Sequence, residues 1–131
     1  MAEAVIQFTL EGGEHEGALM RFEPRGRLNG AVTVTPAKDI RAKQVYARLQ
    51  WHTEGRGDRD EGVVAAVAFN DAQLRANMPM VGRFTFDLPD SPWSFAGHYI
   101  NIVWEIMLIV DIPLAADLRA SQPFILAPRR P

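Results

Sequence analysis

The sequence predicts an all-β protein, an antiparallel β-sandwich in a single domain, and three observations carry that reading. Apolar and polar residues alternate with period two along several segments, turn-forming residues separate those segments, and no segment repeats with the period of an amphipathic helix. The chain has 131 residues, 47% of them hydrophobic and 23% charged, which suits one globular domain spanning 1–131 with a packed core.

The elements follow in order. Ile6, Phe8 and Leu10 alternate with Gln7 and Thr9 in a first strand. Leu28, Gly30, Val32 and Val34 alternate with Asn29, Ala31, Thr33 and Thr35, and Val45, Ala47, Leu49 and Trp51 with Tyr46, Arg48, Gln50 and His52. Phe84, Phe86 and Leu88 repeat the pattern. One apolar and one polar face per strand is the mark of a sheet with its core on one side and water on the other.

Two segments are apolar on both faces. One is residues 63–69. In the other, residues 100–111, Ile102, Trp104, Ile106, Leu108 and Val110 form one face and Val103, Met107 and Ile109 the other. Such strands are expected at the centre of a sheet or under a cover, supplied by the same chain or by a partner. Residues 70–76 read as a strand with a bend, and residues 124–126 as the last strand, closed by Pro128. Gly- and Pro-bearing turns fall at residues 11–14, 24–26, 54–58 and 89–92. About seven strands with no intervening helix make an antiparallel sandwich. Inward parity assigns Leu49, Trp51, Phe86, Phe95 and Trp104 to one core.

The chemistry-bearing residues are few. With no cysteine, disulfides, thiolate nucleophiles and cysteine-held metals are excluded. Fourteen basic residues are interleaved with 16 acidic ones, net charge −2, which provides no basic field for nucleic acid. His15, His52 and His98 lack metal-ligand spacing and read as surface or loop-edge residues. The acidic run from Asp58 to Glu61 lacks a calcium-loop register and reads as a solvated hairpin tip, with the Arg56-Gly57-Asp58 tripeptide inside it a coincidence. Ser91, Ser94 and Ser121 lie outside any nucleophile-elbow motif. Glu105, alone in an apolar strand, is expected to pair with Arg48 or another strand's arginine. The acidic N-terminus lacks the basic and apolar regions of a secretory signal, so a cytoplasmic protein with no membrane insertion is expected.

Phe84-Thr85-Phe86-Asp87-Leu88-Pro89, then Pro92-Trp93-Ser94-Phe95-Ala96-Gly97, Ile102-Val103-Trp104 and Asp111-Ile112-Pro113 form a distinctive succession. It resembles the F-x-F-x-L-P strand, P-x-S-F-x-G loop, aromatic-bearing central strand and D-x-P bend of the arrestin family, over residues 28–126. The resemblance implies an immunoglobulin-like, arrestin-like sandwich in which Pro92, Ser94, Phe95, Gly97, Trp104, Asp111 and Pro113 are structural, with Phe95 an apolar plug. More distant relatives of the sandwich comprise the sporulation-control type and the retromer arrestin-like subunit. Two family features are expected to have no counterpart here. Arrestins pair two sandwiches, and Glu11, Glu14 and Glu16 stand where the family's phosphate-reading cations would be.

The function this predicts is a non-enzymatic protein-interaction module, an adaptor or scaffold without cofactors, binding a protein partner or a second copy. Its contacts are expected on a strand edge, with Gln7 and Thr9, or on the outer face formed by Val103, Met107 and Ile109. The alternative is a small-ligand or carbohydrate-binding sandwich using exposed aromatics such as Trp93 and Tyr99.

Overall fold

The computed structural model describes residues 3–129, and all of the regular secondary structure among them is strand. In order these are β1 (Ala4–Glu11), β2 (Glu14–Glu16), β3 (Leu19–Phe22), β4 (Arg27–Pro36), β5 (Ile40–Arg41), β6 (Gln44–Gly55), β7 (Glu61–Phe69), β8 (Gln73–Leu74), β9 (Met80–Asp87), β10 (Phe95–Ala96), β11 (Ile100–Asp111) and β12 (Leu118–Leu126). Three strands form one sheet in the order β1-β4-β9. Seven form the other, β2-β3-β12-β11-β6-β7, with β10 beside β11. β5 and β8 pair separately.

Parity sets which residues meet between the layers. Ile6, Phe8 and Leu10 face Val34, Val32 and Gly30 across β1 and β4 and pack on the core. Leu28, Phe84 and Phe86 continue that surface. From the larger sheet come Val45, Ala47, Leu49, Trp104, Ile106, Leu108, Val110 and Phe124. Phe124 meets Phe22 edge-on at 5.6 Å and Trp104 at 6.1 Å, which locks three aromatic rings at one end of the core. Trp104 needs a partner for its indole N–H, and Nε1 donates to the carbonyl of Pro92 at 2.7 Å.

Several expectations are corrected. One neighbour pair, β3 with β12, is parallel, so the sandwich is not purely antiparallel. The alternation signal missed β2 and β3 because Gly17 interrupts them after one turn of pattern, although Phe22 is fully buried. The last strand begins at Leu118, well before residue 124. β7 is not central, and no other described part of the chain covers its outer face: it ends the seven-stranded sheet, with Ala65, Val67 and Phe69 packed on the core and Val63 and Val64 exposed.

Phe95 is 54% exposed and does not belong to the core. β10 pairs with Asn101 and Ile102 at the margin of the sheet, and the Phe95 ring lies against Gly97, where any side chain would collide with it. The Pro92–Gly97 loop is instead held by Ser94. Its N–H donates to the Leu126 carbonyl at 2.8 Å, and its hydroxyl accepts from the Leu126 N–H at 2.9 Å. The loop ties to β12 through backbone geometry and needs no buried plug.

Candidate functional site

The residues expected to bind a partner do not share a surface. Gln7 and Thr9 point outward from β1 on the three-stranded sheet. Val103, Met107 and Ile109 lie on the outer face of the seven-stranded sheet, on the opposite side of the sandwich. Within that face Val103 and Met107 are half-buried and Ile109 is fully buried, although it stands outside the inter-sheet core. Its cross-strand neighbours are Tyr46 on β6 and Arg119 on β12. Long side chains such as these shield apolar surface with their stems, so the patch is not the open apolar face that parity suggested.

The same face holds a polar group that the sequence concealed. Glu105 is 4% exposed and His52 is 6% exposed. Gln50 lies directly across from Glu105 in the ladder and donates from Nε2 to Oε2 at 2.8 Å. His52 Nδ1 stands 3.2 Å from the same oxygen, and Nε2 stands 2.9 Å from Glu54 Oε2. A carboxylate oxygen only accepts, so both contacts are hydrogen bonds together only when each ring nitrogen carries a proton. Arg48, the partner expected for Glu105, sits opposite Met107 instead and bonds the Tyr46 hydroxyl at 3.2 Å with its guanidinium over the ring. His52 is therefore a buried, bonded residue and not a surface one. The two carboxylates approach it from opposite ring nitrogens and cannot converge on one ion. Among the described residues no three His, Asp or Glu side chains are arranged to hold a metal.

Beside this group, β12 diverges from β11 and a groove of about 430 Å³ opens between β3, β10, β11 and β12. Leu19, Phe95, Ile102, Val103, Pro123 and Ile125 line it, and Arg21 paired with Glu16 borders it. Trp93 and Tyr99 are exposed, as expected from sequence, but neither lines this groove. Trp93 donates from its indole to the Asp90 carbonyl at 2.8 Å, and Arg56 stacks over Tyr99.

The free edges differ in chemistry. β1 ends in Glu11, β9 carries Arg83 and Asp87, and β2 is Glu-His-Glu. β7 has no charged side chain from Gly62 through Phe69. Charges and prolines are the usual protection of an exposed edge, and past Glu61 at its start β7 has neither. Its one irregularity is a bulge: Val63 pairs with Gln50 and Ala65 with Leu49, which leaves Val64 without an opposite residue.

No family model matches the chain, and no curated protein matches it in sequence. Among solved structures it is similar to Spo0M, a sporulation control protein from Bacillus subtilis, with a TM-score of 0.68 over 98% of this chain at 16% identity. The fold is an arrestin-like β-sandwich. At that identity the likeness speaks to the fold alone. The match covers 51% of the Spo0M chain, so this sandwich corresponds to about half of that protein. Within the described residues no helix is long and apolar enough to cross a membrane.

Proposed function

We propose that this chain is a non-enzymatic interaction module that accepts a partner strand along the edge of β7. One observation carries the reading: an uncharged eight-residue stretch, Gly62 to Phe69, lies at the end of the larger sheet with its outer backbone groups unpaired. An edge of this kind offers a row of N–H and C=O groups to an incoming strand, and the ladder then supplies affinity largely independent of sequence. The exposed Val63 and Val64 at its start add apolar surface that a partner would cover. The Spo0M-like sandwich is consistent with a regulatory or interaction role.

The test is capture of host proteins by the immobilised chain, comparing wild type with Ala66→Lys/Ala68→Lys. Both alanines point to solvent, so the double variant charges the edge without touching the core. A partner retained by wild type and lost by the variant supports the reading. Equal retention by both excludes the β7 edge, and a monomer that captures nothing overturns the interaction reading itself.

A further inference from the structure

Resting on that reading, we infer that the strand added to β7 is β7 of a second copy, paired antiparallel about a two-fold axis through Val67. The regular part of the edge is short. The bulge at Val64 ends it on one side and the end of the strand at Phe69 on the other, two positions before Asp71, so residues 65–69 are its run of even pleat and carry no charge. Only a two-fold at Val67 pairs this run wholly with itself. It sets Val67 against Val67, Ala65 against Phe69 and Ala66 against Ala68. Moving the axis to Ala66 draws the bulge into the pairing, and moving it to Ala68 opposes Phe69 with Val67 and brings Asp71 against Ala65.

The side chains match this register. Directly opposed residues of an antiparallel pair share a face. On the inner face, Ala65, Val67 and Phe69 pack on the core yet remain half-exposed in the single chain. The two-fold places the large ring of each Phe69 beside the small Ala65 of the other copy, twice. Phe69 is already positioned for this. It lies against Gly82 of β9, where an added Cβ would stand 2.7 Å from the ring, so the aromatic is fixed at the open side of the sandwich. On the outer face only alanines meet. No charge is buried or opposed, and an isologous contact of this kind closes at two copies. With five residues paired per strand, the interface falls at the small, weakly associating end of the range.

Sedimentation equilibrium from low to high micromolar concentration decides the matter with three proteins. Wild type is expected to dimerise. In Ala66→Lys/Ala68→Lys the register opposes two pairs of like charges, and dimerisation weakens by about tenfold or more. In Ala66→Lys/Ala68→Glu the same register opposes unlike charges, and dimerisation returns. A wild type that stays monomeric overturns the inference, as does a Lys/Lys variant that dimerises like wild type or a Lys/Glu variant as weak as Lys/Lys. Amide exchange of the wild type gives a readout free of substitutions: protection of residues 65–69 that rises with concentration supports the dimer, and protection independent of concentration overturns it. A monomer whose β7 amides are protected by a captured host protein removes the second copy and keeps the interaction reading. A monomer with neither removes both.

Discussion

Gln50 and Glu105 stand opposite each other on β6 and β11, and the Gln50 amide donates to the Glu105 carboxylate at 2.8 Å on a face otherwise half-closed by apolar side chains. Every buried side-chain nitrogen and oxygen among the described residues has a partner. That satisfaction is what lets a charge-bearing residue sit at 4% exposure in an apolar strand. We predict that Glu105→Ala destabilises the protein by about 1–3 kcal/mol, because Gln50 and His52 lose their shared acceptor. A double-mutant cycle of Gln50→Ala with Glu105→Ala, read by urea titration, should give a coupling of about 0.5–3 kcal/mol. Additive losses would show that the contact carries no energy.

The aromatic assignments separate cleanly. Trp104 is fully buried and Phe95 is mostly exposed. Trp104→Ala should cost about 3–5 kcal/mol, the range for a buried aromatic. Phe95→Ala should stay within about 1 kcal/mol, since it rests on a surface loop. Denaturant midpoints for both, measured side by side, check the pair. A large loss at Phe95 would mean the loop does pack as a plug.

Ile109 tests the covered outer face. It is fully buried beside Tyr46 and Arg119, outside the inter-sheet core. We expect Ile109→Ala to cost about 2–5 kcal/mol and to leave self-association unchanged. A stable Ile109→Ala that alters the sedimentation profile would return this face to consideration as a docking surface.

Leu114 stands at a turn built for another residue. Pro113 precedes it, the Ala115 N–H donates to the Ile112 carbonyl at 3.3 Å, and Leu114 has φ +61°. Proline followed by a positive φ is the pattern of a type II turn, whose third position favours glycine or asparagine. The leucine side chain is wholly exposed and gains no burial in return. Leu114→Gly or Leu114→Asn should raise stability by about 0.5–1 kcal/mol, relieving part of the left-handed strain. A loss on thermal unfolding would show that Leu114 makes a stabilising contact.

Alternation determined the sandwich without help from three dimensions. A strand's side chains point to opposite faces in strict turn, so Leu28, Val32, Val34, Phe84 and Phe86 declare their burial from order alone, and all are buried. The succession from Phe84 to Pro113 likewise marked an arrestin-like sandwich, the fold observed. What neighbours a strand is a different matter. Residues 63–69 and 100–111 look alike in sequence, yet β11 lies between β6 and β12 while β7 ends the sheet. The meeting of His52, Gln50, Glu54 and Glu105 depends on the β6–β11 register, which joins positions more than fifty residues apart. The burial of Ile109 depends on which long side chains flank it. Period two reports which face a residue occupies, because that follows from the local backbone. It cannot report what stands across from that face, because pairing is decided by contacts the chain makes only after it has folded.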